Sequence, residues 1–321
     1  MEKIVVPILL VGFNRPHCIR KVMQQLAIVQ PENLYVSIDA PRKGKECETE
    51  LVEKVKEIVK DVTWECNVRY RFFDKNVGAE VNVSSGIAWV LKEHECVIVN
   101  EDDIYAGYAF YKFIQDMLYH YKDDKRIGLV SGLNLTPDKD TVPDDYYISR
   151  SGHIWGWGTW RRVWNSYSLN EEIKEENLAL QKLSHLYGSA DIAINARKTL
   201  LRQSKKGVGK VTWDYMFWYH RIQMSYYAIV PNKSLITNIG VEGLHASGFS
   251  KYHFTKRCDD FKISKFHDFK WDKDYDIRNF KNDTKKSLIM RIIYRIIDKV
   301  KVLYLRNFKF TDEYLTNFYN S

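Results

Sequence analysis

The sequence predicts an α/β protein with a mainly parallel sheet, and two observations lead to that prediction. Short apolar segments rich in β-branched residues alternate with helical patterns through the amino-terminal third of the chain, which is typical of βαβ units. Polar residues follow several of these segments directly, as expected where parallel strands end at one edge of an open sheet. The chain has 321 residues, 45% of them hydrophobic, so it is long enough to bury a substantial core.

The predicted strands and helices follow one another in a regular order. The predicted strands are Val5–Val11, Leu34–Ile38, Val68–Phe73, a strand beginning at Cys96, Ile127–Gly132 and a pair within Ile229–Ile239. The predicted helices are Cys18–Ile28, residues 49–61, a helix ending at Leu91, Tyr108–Tyr121, segments within 171–209, and Trp213–Met224. The helix at 49–61 shows one apolar face most clearly. Residues 251–283 are aromatic and charged without such a pattern, and we expect an irregular connector there.

Three consecutive carboxylates, Glu101, Asp102 and Asp103, directly follow the apolar strand that contains Val97–Val99. Carboxylates crowded at the end of a buried strand repel one another and are costly to desolvate. A divalent cation would compensate their charge, and oxygen ligands favour Mg²⁺ or Mn²⁺, which can also bridge to substrate phosphates. The alternative for this stretch is a solvated acidic turn.

Two other predicted strand ends carry residues suited to a nucleotide. Asp39 can accept a hydrogen bond from a base or a ribose hydroxyl, and Arg15 can bind phosphate through two parallel hydrogen bonds. Asn76 and Gly78 open a predicted helix, where a glycine lets a ligand approach the backbone and the helix N-terminus attracts an anion. The alternative in each case is an ordinary turn, which Asp, Asn and Gly also favour.

Four tryptophans within ten residues mark an unusual segment from Trp155 to Trp164. Indole faces suit stacking on sugar rings, and the intervening glycines permit close approach of a ligand. We expect Trp155 and Trp157 to lie near a ligand, and Trp160 and Trp164 to belong to the core at helical spacing. The alternative is a buried aromatic cluster beneath the site.

Asp214 follows Trp213 at the start of an aromatic helix and is a candidate general base. Asp is also a favoured helix N-cap residue, and the two roles are compatible. His245, between Leu244 and Ala246, is a lone histidine, and such histidines are more often structural than ligating.

The cysteines and the amino terminus indicate a cytosolic protein. The five cysteines are widely spaced and form no CxxC pair, which predicts reduced thiols rather than disulfides or structural zinc. The first apolar run is short and contains Pro7, so we expect a strand rather than a signal peptide. No stretch approaches the roughly 20 apolar residues of a membrane-spanning helix.

The net charge of +8 is concentrated near the carboxyl end. Residues 285–310 contain eight lysines or arginines and one acid, so the remainder is nearly neutral and a nucleic-acid partner is not expected. Lys285–Leu305 combines a face of isoleucines with flanking basic residues, a pattern typical of an interfacial membrane anchor. We predict peripheral attachment to the anionic inner face of the plasma membrane. The alternatives are docking on the catalytic domain and pairing in a dimer.

Taken together, these residues resemble the GT-A glycosyltransferases, most nearly the inverting N-acetylglucosaminyltransferase I type, over residues 5–245. Phe13-Asn14-Arg15 is similar to that family's Cys-Asp-Arg turn, and Ser37-Ile38-Asp39 to its Ser-Gln-Asp. Val97–Ile104 resembles its Val-Val-Val-Glu-Asp-Asp-Leu. Gly156-Trp157 resembles its Gly-Leu-Gly-Trp loop, and Trp213-Asp214 its Trp-Asp. The Asn76-x-Gly78 loop is similar instead to bacterial family-two glycosyltransferases.

The resemblance implies a Rossmann-like mixed sheet flanked by helices. It implies a catalytic domain at 1–250, with a nucleotide-binding half at 1–105 and an acceptor half at 106–250. A connector at 251–283 and a basic amphipathic helical tail at 284–321 would follow.

The resemblance also implies metal-dependent, inverting transfer from a nucleotide sugar, with a UDP-sugar as the expected donor. Asp103 would hold Mn²⁺ or Mg²⁺, with His245 as a second ligand. Glu101 and Asp102 would orient the ribose and the donor sugar, and Asp214 would be the catalytic base. The expected acceptor is a glycan or lipid-linked glycan in bacterial surface polysaccharide or lipooligosaccharide synthesis.

Two other functions remain open. A sugar-phosphate nucleotidyltransferase also uses carboxylates on an α/β sheet, but it is expected to carry a glycine-rich, basic phosphate loop after strand one, which Gly12–Pro16 lacks. A non-enzymatic glycan-binding protein would use the tryptophan segment and would leave the acid block and Asp214 without a role.

Overall fold

The computed structural model describes residues 1–136, 145–240 and 255–284. The strands are β1 (Ile8–Gly12), β2 (Asn33–Ile38), β3 (Asn67–Phe72), β4 (Cys96–Glu101), β5 (Ile104–Ala106), β6 (Ile127–Ser131), β7 (Tyr146–Ser149), β8 (Trp157–Trp160), β9 (Tyr227–Pro231) and β10 (Ile236–Asn238). The helices are α1 (Pro16–Val29), α2 (Glu46–Lys60), α3 (Gly78–Leu91), α4 (Tyr108–His120), α5 (Arg161–Trp164), α6 (Leu180–Tyr187), α7 (Ala190–Ser204), α8 (Trp213–Gln223) and α9 (Lys273–Asp283).

Within the described residues, eight strands form one mixed sheet in the order β3-β2-β1-β4-β8-β6-β9-β7. Strands β1 to β4 pair in parallel, so the segments that follow them meet at one edge. The chain order reverses between β1 and β4, and a crevice at such a reversal is where open α/β sheets bind ligands. The predicted α/β class and the Rossmann-like mixed sheet are therefore confirmed.

Strand β8 lies between β4 and β6 and is antiparallel to both. Its two tryptophans, Trp157 and Trp160, are 0% and 3% exposed. Trp157 packs against Trp213 and Phe217 of α8, with ring centroids 6.0 and 5.1 Å away. Trp157 of β8 thus packs the first turns of α8 against the centre of the sheet.

Helix α8 belongs to two hydrophobic cores. Phe217 packs in the main core over the sheet, whereas Met216 and Tyr219 pack in a smaller core with α6 and α7. Because apolar side chains hold α8 on two sides, the position of its first turn is well determined.

The connector predicted at 251–283 is only partly irregular. Residues 255–270 contain no helix or strand, but Lys273–Asp283 forms α9. Helix α9 has three buried residues, and two of them, Asp276 and Asn279, are polar. The sequence therefore shows no apolar period from which this helix could be predicted. The third buried residue, Tyr275, stacks on Tyr147 of β7 with ring centroids 4.3 Å apart.

All five cysteines are free thiols, as the sequence predicts. Among the described residues, no helix combines the length and the apolar character needed to cross a bilayer. The basic helix predicted from Lys285 lies outside the described residues.

Candidate active site

A cleft of about 390 Å³ opens at the carboxyl edge of the parallel strands, and we call it the donor cleft. Its walls are the segments after β1, β2 and β4 and the start of α3. The predicted nucleotide and metal residues that line it are Arg15, Asp39, Asn76, Gly78, Glu101, Asp102 and Asp103. The structure thus brings together residues that are spread over almost ninety positions of the sequence.

Arg15 joins the loop after β1 to the acid block after β4. Its Nη1 donates to Oδ2 of Asp103 at 2.8 Å, its Nε donates to Oδ2 of Asp102 at 3.3 Å, and Nη2 bonds the other oxygen of Asp102. Burial lowers the pKa of Arg15, but the charges of Asp102 and Asp103 outweigh it and hold the pKa above its usual value. Arg15, which the sequence predicts to bind phosphate, is therefore held by two carboxylates of the protein itself.

Asp102 is 2% exposed, so the acid block is not a solvated turn. Burial raises the pKa of Asp102, while Arg15 lowers it. Asp102 holds Arg15 and also lines the donor cleft, and its predicted contact with the ribose or the donor sugar stays a prediction.

Gly240, at the end of the predicted final strand pair, lies against this ion-pair cluster. The backbone N–H of Ile239 donates to the backbone oxygen of Asp103 at 2.9 Å. A Cβ atom on Gly240 would lie 2.7 Å from Nη1 of Arg15 and would overlap the Asp103 carboxylate. Only glycine fits at this position without displacing the cluster.

The carboxyl group of Glu101 also has a strongly raised pKa. Burial, followed by the charges of Asp103 and Asp102, raises its pKa to about 8, against an ordinary value of 4.5. Arg15 lowers this pKa, and Asp214 raises it further. Asp214 is thus within electrostatic range of Glu101.

In the absence of divalent cations, we expect the protein to lose stability as the pH rises. Folded Glu101 retains its proton up to about pH 8, whereas the unfolded side chain releases it near pH 4.5. The stabilisation is therefore complete below pH 4.5 and is lost as the pH rises through about 8. Urea unfolding between pH 5 and 9 measures the slope, and Glu101→Gln should flatten it. Equal slopes for the two proteins would contradict this origin.

The acid block fits a divalent cation by its charge. It contains three carboxylates and one guanidinium, and a hard cation with oxygen ligands would restore the balance. Within the described residues, no three side chains of metal-binding type converge, so Asp103 would supply one ligand and the substrate diphosphate others. Oδ1 of Asp103 takes part in no hydrogen bond in the described part of the chain. His245, the predicted second ligand, lies outside that part.

Asp39 holds the loop that begins α3. Its Oδ1 accepts from the backbone N–H of Ala40 at 2.8 Å and of Val77 at 2.9 Å. Its Oδ2 accepts from the N–H of Gly78 at 2.9 Å and from Nδ2 of Asn76 at 3.0 Å. Asp39 is 4% exposed and Gly78 has φ +79°, so this carboxylate fixes a left-handed turn that needs glycine. Asp39 and Asn76 therefore fix the conformation of the loop that forms this wall of the donor cleft.

We expect Asp39→Asn to destabilise the protein by about 2 kcal/mol, because an amide leaves at least one buried N–H donor without an acceptor. Urea unfolding of the wild type and the variant measures the change. Asp74→Asn, an exposed acid of the same loop, is the matched control and should be neutral. Equal stability of the two variants would show that the loop does not depend on Asp39.

A second cavity of about 400 Å³ lies beside α8 and α9, and we call it the acceptor cavity. Its lining includes Trp155, Tyr215, Trp218 and, from the start of α8, Asp214. Aromatic side chains combined with a few polar groups are suited to a sugar ligand. Together, the two cavities place the acid block and Asp214 in adjoining sites.

Asp214 is the second residue of α8, and the N-cap residue is Thr212. The hydroxyl of Thr212 donates to Oδ1 of Asp214. The N-cap alternative for Asp214 therefore does not apply. One carboxylate oxygen is oriented by Thr212, and the side chain lines the acceptor cavity, as a general base requires.

The tryptophan segment divides differently from the prediction. Trp155 is partly buried and lines the acceptor cavity rather than the donor cleft, and its contact with a ligand stays a prediction. Trp157 is fully buried in β8, so the predicted ligand contact of Trp157 is wrong. Trp160 and Trp164 are 3% and 6% exposed, which confirms that both belong to the core. Trp155 precedes β8, whereas the other three tryptophans lie in that strand or in α5 directly after it.

Comparison with known proteins shows resemblance at the level of the fold only. The chain matches no protein-family model and no curated protein. Among solved structures, it resembles 4-diphosphocytidyl-2C-methyl-D-erythritol synthase of Anaerococcus prevotii, with 14% identity and a TM-score of 0.33 over 53% of this chain and 79% of that one. It also resembles UDP-glucose pyrophosphorylase complexed with UDP-glucose, with 9% identity and a TM-score of 0.30 over 51% and 81%. HddC of Yersinia pseudotuberculosis, complexed with GMP-PN, has 11% identity and a TM-score of 0.28 over 50% and 79%.

With TM-scores of 0.33 or less and identities of 14% or less, these likenesses carry no argument about the activity of this chain. The choice between the two enzyme classes therefore rests on the site itself.

Several residues of the acceptor cavity were not predicted from the sequence. Arg150 follows β7, Arg221 lies near the end of α8, and α9 contributes Asn279, Phe280 and Asp283. None of these belongs to a motif. A cation buried by tertiary packing leaves no pattern in the sequence, because Arg221 looks like an ordinary charged residue of a helix.

Proposed function

We propose that this chain is a glycosyltransferase that moves a sugar from a nucleotide sugar, with a UDP-sugar as the expected donor, to a glycan or glycolipid acceptor. The observation that carries the proposal is the pair of adjoining cavities with carboxylates between them. The donor cleft ends at Glu101, and Asp214 of the acceptor cavity is close enough to raise the pKa of Glu101. A two-substrate transferase needs this arrangement, with a base on the acceptor side of the donor.

The proposed reaction is a direct displacement that inverts the anomeric carbon. An acceptor hydroxyl oxygen forms a bond to the anomeric carbon, and the bond from that carbon to the diphosphate oxygen breaks. The proton of the hydroxyl passes to the carboxylate of Asp214, which Thr212 orients. A divalent cation at Asp103 would neutralise the charge that develops on the diphosphate. Arg15 keeps Asp102 and Asp103 in place.

The charges of the donor cleft support transfer of a sugar over transfer of a nucleotidyl group. Both arginines that line the cleft are in ion pairs, Arg15 with the acid block and Arg42 with Glu48. The lining acids outnumber these arginines. In the described residues the cleft therefore offers no unpaired cation for a triphosphate substrate, which a nucleotidyltransferase would need near strand one.

The test is cleavage of UDP-, GDP-, CMP- and dTDP-sugars with and without Mn²⁺. Slow release of one nucleoside diphosphate, dependent on metal, is expected and would identify the donor. Incubation with a sugar phosphate and a nucleoside triphosphate tests the other class, since a nucleotidyltransferase would release pyrophosphate. Pyrophosphate release without sugar transfer would replace the proposal. Tighter calorimetric binding of GDP than of UDP would overturn the assignment of the donor base.

The acceptor is proposed to be presented at the inner face of the plasma membrane, with the basic tail as the anchor. We expect the full chain to float with anionic liposomes and a chain truncated after Thr284 to remain in the soluble fraction, because the tail carries eight basic residues against three acids, +5 of the net charge of +8. Neutral liposomes are the control. Equal flotation of both chains would place membrane binding elsewhere.

A further inference from the structure

The acceptor cavity has an end formed by two arginines, Arg150 and Arg221, which we call the arginine end. Arg221 is 7% exposed. It donates to the backbone oxygens of Gly152 at 3.2 Å and of Arg150 at 3.1 Å. Among the described residues, the Nε atoms of both arginines are buried without a hydrogen-bond partner. Nη1 of Arg150 bonds the backbone oxygen of Ser225, so the two Nε atoms are the buried arginine donors that remain to be satisfied at this end.

No carboxylate within the described part of the chain forms an ion pair with either arginine. Burial lowers the pKa of Arg221 to about 10, and the charge of Asp276 only partly counteracts this. Asp276 is fully buried, and its oxygens accept from Ser149, from the N–H groups of Arg150 and Ser151, and from Nε1 of Trp271. Because neutral donors already occupy Asp276, the buried cations remain under-compensated.

Two other acids line the cavity, and neither occupies the arginine end. Asp283 is an exposed residue at the last position of α9. Asp214 and Arg221 lie on one face of α8, seven residues apart, which places them about 10 Å from each other along the helix axis. The proposed base and the arginine end are thus at opposite ends of one wall. Trp218 lies between them and also lines the cavity.

We propose that the acceptor carries an anionic group, a carboxylate or a phosphate, that binds at the arginine end. This inference rests on the proposed function, because it assumes that the attacked hydroxyl lies at Asp214. The anion would then sit about 10 Å from that hydroxyl, on the unit next to the one that receives the sugar. An arginine fork suits either anion, and the aromatic wall at Trp218 would stack on the sugar between them.

His153 supports the same assignment. It lines the cavity next to Gly152, and its Nε2 is buried without a hydrogen-bond partner among the described residues. Burial lowers the pKa of His153, whereas its hydrogen bond to the side chain of Asn279 raises it, and Nε2 is a further buried polar atom at this end of the cavity with a partner still to be found.

The test compares three ligands on one frame: cellobiose, cellobiouronic acid and cellobiose 1-phosphate. Calorimetry on the full chain should give binding about tenfold tighter for at least one charged ligand than for cellobiose, as a charge-assisted hydrogen bond predicts. The carboxylate and phosphate arms identify which anion the site accepts. Equal affinity for all three ligands, or binding of none, would overturn the inference.

In Arg150→Gln and in Arg221→Gln, the charged ligand should bind no more tightly than cellobiose does to the same variant. Arg221 also braces the loop at Arg150–Gly152, so Arg150→Gln carries the test if the other variant does not fold. Arg126→Gln is the matched control. Arg126 stacks on Phe269 at 3.7 Å, as Arg150 stacks on Tyr227 at 3.4 Å, but it lies outside the cavity lining.

Cleavage of nucleotide sugars, measured on the same preparations, separates the two proposals. Donor cleavage without any preference for a charged acceptor would overturn the anion site and leave the transferase intact. A preference for the anion without donor cleavage would support the anion site and remove the proposed function. In the second case the cavity would be an anionic-glycan site only.

Discussion

Replacement of Asp214 by asparagine is expected to lower the rate of sugar transfer by about a thousandfold, since general-base catalysis contributes about that much. Asparagine has the shape of aspartate and can keep the hydrogen bond from Thr212, but it cannot take a proton from the acceptor hydroxyl. The KM for the nucleotide sugar should not change, because Asp214 lines the acceptor cavity and not the donor cleft. Initial rates of transfer over a range of donor concentrations give both quantities.

The matched control is Asp191→Asn. Asp191 occupies the second position of α7, as Asp214 does in α8, but it is exposed and lines neither cavity. Its replacement should therefore have the same small effect on the helix and none on transfer. If Asp214→Asn retains most of the wild-type rate, another group is the base and the proposed mechanism fails.

Replacement of Asp103 by alanine is expected to remove metal-dependent cleavage of the donor, with a loss of about a thousandfold or more in rate. The variant loses the carboxylate that would hold the cation, and it also releases Nη1 of Arg15. The leaving diphosphate would then develop charge without the divalent cation that would neutralise it. Release of nucleoside diphosphate, followed over a range of Mn²⁺ concentrations, measures the effect.

Asp116→Ala is the control for this variant. Asp116 is also paired with a basic side chain, Lys112, but it lies outside the donor cleft. Its replacement should leave the metal dependence unchanged. Persistence of wild-type activity in Asp103→Ala, or activity that EDTA does not reduce, would exclude Asp103 as the anchor of a catalytic cation.

The nucleotide-binding half could be predicted well because its information is local. Strands β1, β2 and β4 are largely apolar segments at whose ends polar residues follow closely, and parallel pairing then brings those ends together. For this reason Arg15, Asp39 and the acid block were correctly expected at one site. Their partners were not predictable, because contacts such as Asp39 with Val77 depend on tertiary geometry.

The acceptor half could be predicted less well because its determinants are non-local. The glycine-rich tryptophan segment has no clear period, so the sequence could not distinguish a ligand-binding loop from β8, and Trp157 was placed on the wrong side. Helix α9 buries Asp276 and Asn279 rather than an apolar face. Arg221 acquires its importance only because α8 is enclosed between two cores.

Strand β8 also bears on how the molecule unfolds. In the sheet, the hydrogen bonds that join β4 to β6 all run through this four-residue strand. Neither half of the sheet can separate from the other without exposing Trp157 and Trp160, whose burial is complete or nearly so. Such exposure costs roughly as much as several large core substitutions. The two halves are therefore expected to unfold as one cooperative unit, and that unfolding would disrupt the donor cleft and the acceptor cavity together.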